Sequence, residues 1–169
     1  MPFSQTVLPE FDAEMKNTRK ILECVPDGKL DYKPHPKSMT MGRLATHVAE
    51  LASWAGPTVD VDVLEIPMDY KPRIAESRAE LLEIFDKAVA EARPKIEATS
   101  DERWQQTWVL NFGGKTVLSM PRGAVLRTVI LNHLIHHRAQ LGVFLRLNDV
   151  AIPGMYGPSA DESMAAAAG

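Results

Sequence analysis

The side chains best suited to chemistry in this chain are its histidines, and three of the five fall in one run, Asn132-His133-Leu134-Ile135-His136-His137-Arg138-Ala139-Gln140-Leu141. The run sits inside the longest unbroken helical pattern of the sequence. At about 100° per residue, His133 and His137 lie one turn apart on the same face, so their imidazoles can converge on a single ion. His136 points to one flank. The face reads Leu126, Val129, Ile130, His133, His137, Gln140, Leu141 and Phe144, so two polar rings interrupt a stripe that would otherwise pack into a core. Burying such a ring without a partner costs about 1–3 kcal/mol. A shared divalent metal would satisfy both rings, ordinary hydrogen bonds would also do so, and spacing alone leaves the two readings open.

A third ligand would tip the balance between them, and the one other candidate source is His47. It lies in Ser38-Met39-Thr40-Met41-Gly42-Arg43-Leu44-Ala45-Thr46-His47-Val48-Ala49-Glu50-Leu51, where the stripe Thr40, Leu44, His47, Leu51, Trp54 again carries histidine at an apolar position. His35 stands in a proline-flanked loop and is a poor candidate. Glu50, one turn beyond His47, is the one carboxylate on these two helices near enough to act as a base or an outer partner, and a surface role is its alternative. Gln140, one turn past His137, can orient a ligand or a histidine N–H, or make a plain core hydrogen bond. His136 is read as an outer or surface residue and Arg138 as a structural ion-pair partner.

The elements that must position these rings follow from periodicity and punctuation. Leu8, Phe11, Met15, Thr18, Leu22 and Val25 mark a first helix capped near Ser4 or Thr6, with Pro9 in its first turn and Pro26-Asp27-Gly28 as its stop. Cys24, at its end, has no basic neighbour to lower its pKa and reads as a packed, inert thiol. The second helix runs from Ser38 or Thr40 to about Ala55, where Gly56-Pro57 ends it. Thr58 to Pro72 then reads as a long acidic connection whose Asp60, Asp62, Glu65 and Asp69 are solvated charges. Fully extended, about fifteen residues span ~50 Å. A helix of about seventeen residues spans only ~25 Å, so this connection can return along the whole molecule.

Ile74, Ser77, Leu81, Phe85, Ala88, Val89 and Ala92 give the third helix, with Arg93-Pro94 expected to end or kink it. Trp104 to Leu110, Asn111-Phe112-Gly113-Gly114-Lys115 and Thr116 to Leu118 predict a short hairpin. Its Trp104 and Trp108 either close one end of the helices or wall the entrance to the histidine site. The fourth helix starts near Pro121 and continues to about Leu147, roughly 40 Å if straight. The fold class is therefore all-α, a four-helix bundle with long crossover connections and a small hairpin-like insert before the last helix. Residues 1–162 form a single domain and 163–169 a flexible tail.

Bulk properties narrow the function. The chain has 169 residues, a net charge of -3, and 45% hydrophobic residues, enough for one globular core. No basic run alternates with aromatics, which argues against a nucleic-acid partner. No apolar run reaches the roughly 18 residues of a membrane span, and the opening residues lack a signal-peptide layout. A single cysteine, Cys24, allows no disulfide within the chain. The expected compartment is cytoplasmic.

The helix-two segment Leu44-Ala45-Thr46-His47, the histidine run from Asn132 to Leu141 and the closing Val150-Ala151-Ile152-Pro153-Gly154-Met155-Tyr156-Gly157-Pro158-Ser159-Ala160-Asp161-Glu162 together resemble the DinB/YfiT-like metalloenzyme family. The resemblance runs from the first helix to Glu162. It implies an up-down-down-up bundle, a divalent ion held by His47, His133 and His137, and a homodimer; imidazole suits zinc and nickel alike, so the histidine set does not choose between them. It also implies a small-molecule substrate, with a low-molecular-weight thiol such as bacillithiol or mycothiol as cosubstrate. Three neutral imidazoles would leave the ion's charge uncancelled and at least one coordination position free, which suits catalysis better than a closed structural site. The expected activity is a thiol-dependent S-transferase acting on a small electrophile. The alternatives are a metal-dependent hydrolase and a non-catalytic metal-binding stress-response protein.

Overall fold

The computed structural model describes residues 1–162, so the expectation for 163–169 lies outside the described residues. Among the described residues the chief elements follow one another as α1 Phe3–Leu22, α2 Met41–Glu50, α3 Ala55–Asp60, β1 Val63–Ile66, α4 Arg78–Ala98, α5 Asp101–Gln105, β2 Thr107–Phe112, β3 Lys115–Pro121, α6 Arg122–Val125 and α7 His133–Arg146. The molecule is mostly helical, but the sequence expectation of an all-α chain is corrected by a small three-stranded sheet.

Helix α1 begins at Phe3, earlier than Ser4 or Thr6, and no side chain of its own caps it. The amide of Phe3 instead donates to Asp101 Oδ1 at 2.8 Å, so the cap comes from α5. Pro9 consequently lies inside the helix, where burial of Val7, Leu8 and Phe11 outweighs the lost backbone bond. Helix α2 is fixed at its start by Thr40, whose hydroxyl accepts from the amide of Arg43. The next segment does not stop at Gly56-Pro57. A 3-10 turn over Leu51–Trp54 leads straight into α3, and Pro57 is tolerated as its third residue, where no helical amide bond is needed.

Helix α4 starts at Arg78 behind Ser77, whose hydroxyl accepts from the amide of Glu80, and Ile74 stays outside it, half exposed. It runs through Pro94 to Ala98 without ending there. From Arg122 the chain is helical to Arg146, with seven residues, Leu126–Asn132, wound as a wider π-helical stretch between α6 and α7. Side-chain links give the helix neighbours: Arg19 to Asp86 and Arg93 to Asp12 join α1 to α4, while Arg127 to Glu10 and Arg138 to Glu14 join the last helix to α1. A single core runs through all of them, with Phe11, Leu22, Leu44, Phe85, Leu126 and Leu134 among its members.

The sheet has the order β1-β2-β3. The expected hairpin is β2–β3, with Phe112 opposite Lys115 and Gly113 and Gly114 at φ 56° and 75°, the positive values that a two-residue type I′ turn needs at both positions. The third strand was not foreseen. β1 lies in the expected Thr58–Pro72 connection and pairs in parallel with β2, Val63 opposite Val109. Its acidic residues are not idle either, since Asp62 is held by Arg103 and by the fully buried Arg122, which also donates to the carbonyls of Thr107 and Val61. Arg122 thus ties two strands to the start of the last helix.

After α7 the chain folds back. Arg146 pairs with Asp161, and the amide of Ile152 donates to the same carboxylate at 2.9 Å. The Arg146 guanidinium is the main cause, with the Ile152 amide, of an Asp161 pKa lowered to about 2. A carboxylate normally titrates near 3.9, so this contact contributes stability above about pH 4 and loses it as pH falls through about 2. Tyr156 ring resonances should therefore shift toward unfolded positions over that window. In Asp161→Asn they should already be shifted at pH 5, and wild-type-like spectra there would contradict the docking role.

Candidate metal centre

Helix α2 carries His47 and is held close against its surroundings. Its amides at Met41 and Gly42 donate to the carbonyls of Tyr32 and Leu30, and a Cβ at Gly42 would come within 3.2 Å of the Leu30 oxygen. The buried Thr46 hydroxyl donates to Gly42 O and accepts from the amide of Ala75. One turn of α2 is thereby fixed on two sides, and His47 projects from it toward α7.

His47, His133 and His137 meet there. Their candidate ligand nitrogens all lie within 4.8 Å of one another, and the ring centroids are 4.6–5.0 Å apart. Each ring is half-buried and tied at Nδ1. His47 Nδ1 lies 3.1 Å from Glu50 Oε1, His133 Nδ1 lies 3.2 Å from the Val129 carbonyl, and His137 Nδ1 lies 2.7 Å from Gln140 Oε1. These partners are acceptors, so a neutral ring must carry its proton on Nδ1 and present a bare Nε2. The Nε2 atoms of His47 and His133 are 3.4 Å apart. Two lone pairs converging at that distance could share a cation, and the donor set of three imidazoles suits a divalent transition metal.

Electrostatics favour the neutral form of His133 and His137. Burial lowers the pKa of His133, assisted by the neighbouring His47, and burial likewise lowers that of His137 against the opposing Gln140 bond. Neutral imidazole is the metal-binding form.

The sequence-predicted residues sort plainly on this geometry. Glu50 and Gln140 touch histidine nitrogens, and Glu50 is itself held by Arg43 at 3.3 Å. His136 is exposed, its ring 4.9 Å from that of His137 and outside the three-histidine group. His35 lies on an exposed loop, where its ring bonds the amide of Lys37. Trp104 packs on Phe3 and donates to Ser4, and Trp108 donates to the carbonyl of Pro57, so both close the structure away from the histidines. Val129 was missed because its contribution is a backbone carbonyl, which no side-chain pattern reveals. Arg43 was missed too, although Arg43, His47 and Glu50 share one helical face at four- and three-residue spacing.

The histidines do not interrupt the buried stripe of the last helix as the sequence suggested. The buried residues are Leu126, Ile130, Leu131, Leu134, Arg138, Leu141, Gly142 and Leu145, and His133 and His137 flank that line. The π-helical stretch causes the difference, because extra backbone per turn rotates the downstream helix relative to a strict 3.6-residue period.

Replacing Gln140 with Ala should weaken metal binding by about 10–100-fold, the usual effect of removing an outer hydrogen bond from a ligand histidine. Competition titration against a chromophoric chelator measures it, and unchanged affinity would remove Gln140 from the site.

The molecule is mostly helical, and its three converging histidines could hold a metal ion. The DinB family model matches residues 1–167, and the chain belongs to the DinB family. It is 30% identical over 154 residues to the uncharacterized protein YrdA of Bacillus subtilis (strain 168), covering 90% of this chain and 86% of that protein. Among solved structures it resembles a DinB-like protein from Bacillus cereus ATCC 10987, with TM-score 0.71 at 22% identity over 90% of this chain and 97% of that one. It also resembles the DinB-like protein YjoA from Bacillus subtilis, with TM-score 0.66 at 17% identity over 89% and 97% of the two chains. Among the described residues no helix is long and apolar enough to cross a membrane.

Proposed function

We propose that His47, His133 and His137 hold one divalent ion, zinc or nickel, and that the protein is a metal-dependent enzyme transferring a small thiol to an electrophile. The observation that carries the metal is the convergence of bare Nε2 atoms from rings whose Nδ1 positions are all committed. Bound there, the ion supplies positive charge that favours thiolate over thiol, or hydroxide over water, near neutral pH. The protein's own part is to orient three neutral rings through Glu50, Val129 and Gln140, and to leave the remaining side of the site to an exchangeable ligand. The thiol rests on the family resemblance. A four-helix bundle in up-down-down-up order belongs to the same reading, supported by the Arg19–Asp86 and Arg138–Glu14 links that place α1 beside both α4 and α7.

Hydrolysis is the weaker alternative. Glu50 would be its general base, yet that carboxylate is occupied by His47 Nδ1 and Arg43. In cobalt-substituted protein, a small thiol such as cysteine is expected to change the visible spectrum, and turnover of 1-chloro-2,4-dinitrobenzene is expected to need both thiol and metal. Ester turnover without thiol would replace this reading with hydrolysis. A loaded site that ignores both thiol and ester would make the ion structural.

A further inference from the structure

The two flanks of the histidine cluster differ in chemistry. Beside Glu50, between α2 and α4, lies a polar cavity of about 250 Å³ lined by Arg73 and Lys87 together with Glu83 and Glu91, so both signs of charge are present. Beside His137 lies a cavity of about 370 Å³ with no carboxylate among its lining residues. Its walls are apolar: Leu44 from α2, Met39 from the loop before it, and Val143 and Phe144 from α7. Phe144 is braced edge-on against Tyr32 with ring centroids 6.0 Å apart, so this wall is preformed.

The polar groups of that cavity are chiefly donors. Gln140 spends its carbonyl oxygen on His137 Nδ1, which leaves its amide N–H groups for a ligand. Ser38 adds a hydroxyl, and Lys37, exposed, lines the same cavity, whose walls carry no carboxylate to answer it. An apolar slot lined with donors and one unanswered cation suits a ligand with an apolar body and a terminal anion.

We infer that the cavity between His137 and Lys37 is a binding subsite for the apolar body and carboxylate of a small organic acid, with Lys37 receiving the carboxylate and Phe144 and Met39 covering the body. This deepens the proposed function by giving a substrate class, and it rests on that reading only for where the reacting end would lie. The reacting end points to the histidines and the carboxylate away from them.

The test uses 3-phenylpropionate and its neutral isostere 3-phenylpropionamide on the full chain, metal-stripped and metal-loaded, following the methyl resonance of Met39 assigned through Met39→Leu. The acid is expected to shift that resonance in both forms and to bind at least five-fold more tightly than the amide. Lys37→Ala should erase the difference between acid and amide, and Lys37→Arg should restore it. The Phe144→Ala variant should weaken acid and amide alike. Equal binding of acid and amide, or an unmoved Met39 signal, overturns the subsite. Failure of the metal reading is seen separately: if no metal loads but the acid still binds with its Lys37 dependence, the subsite stands and the metal centre falls. If metal loads and the acid does not bind the stripped protein, the subsite falls and the metal centre stands.

Discussion

The His133→Ala variant, purified without a metal-affinity step and then offered zinc or nickel, is expected to hold almost no metal, whereas the parent chain holds about one ion. The loss should exceed the roughly 10–100-fold expected for removing an outer hydrogen bond such as that of Gln140, because a direct donor disappears. The fold should survive. His133 is half-buried at the edge of the core, and its Nε2 faces that of His47 at 3.4 Å, so the metal-free variant is relieved of a repulsive pair. The metal-free variant should therefore melt at or above the temperature of the metal-free parent. Elemental analysis and a thermal melt read the two effects independently. Undiminished metal in the variant would end the three-histidine assignment, and a large drop in melting temperature would mean that the ring belongs to the core.

The second large effect is expected at Glu14. Arg138 and Glu14 are both buried and lie 2.6 Å apart. Arg138 also donates to Thr18 and to the carbonyl of Glu14, and the Tyr156 hydroxyl reaches both Glu14 oxygens at 2.9 Å. Removing one partner leaves an uncompensated buried charge, at a cost of about 3–5 kcal/mol. At about 2–4 °C per kcal/mol for a chain of this size, Glu14→Ala should lower the melting temperature by roughly 6–20 °C. The double replacement Glu14→Leu with Arg138→Met should recover most of it, since buried pairs often exchange for apolar packing at little cost. Tyr156→Phe should cost less, because the guanidinium keeps its carboxylate. A Glu14→Ala melt within about a degree of the parent would show that water reaches this pair and screens it.

The parts of the structure that were legible in the sequence are those encoded locally. The α2 and α7 patterns placed His47, His133 and His137 on faces that do meet, and Gly113-Gly114 specified a hairpin turn through backbone conformations that few other residues adopt. The illegible parts depend on partners distant in the chain. β1 finds its ladder only in β2, and α1 takes its cap from Asp101. Pro57 and Pro94 looked like stops because proline rules are local, whereas the packing that carries helix through them is not. Arg138 was correctly given an ion-pair role, but its burial followed from the π-helical stretch, which no periodicity announces.

That stretch also has a consequence for how the molecule tolerates insertions and deletions. Leu126–Asn132 lies between the Arg122 anchor in the sheet and the histidines, and it works like a slip joint in a shaft. Losing one residue there would tighten the wider turns to ordinary helix, and the extra residue they now absorb would be the one removed, so α7 would keep close to its present facing, while His133, His137 and Gln140 kept their spacing to one another. The histidines of this helix would remain a unit and keep their alignment with His47. A single-residue deletion in this stretch should thus cost little helical content and little metal affinity, whereas one inside α7 between His133 and His137 should cost most of the affinity, and circular dichroism with metal titration on the same samples would reveal the contrast.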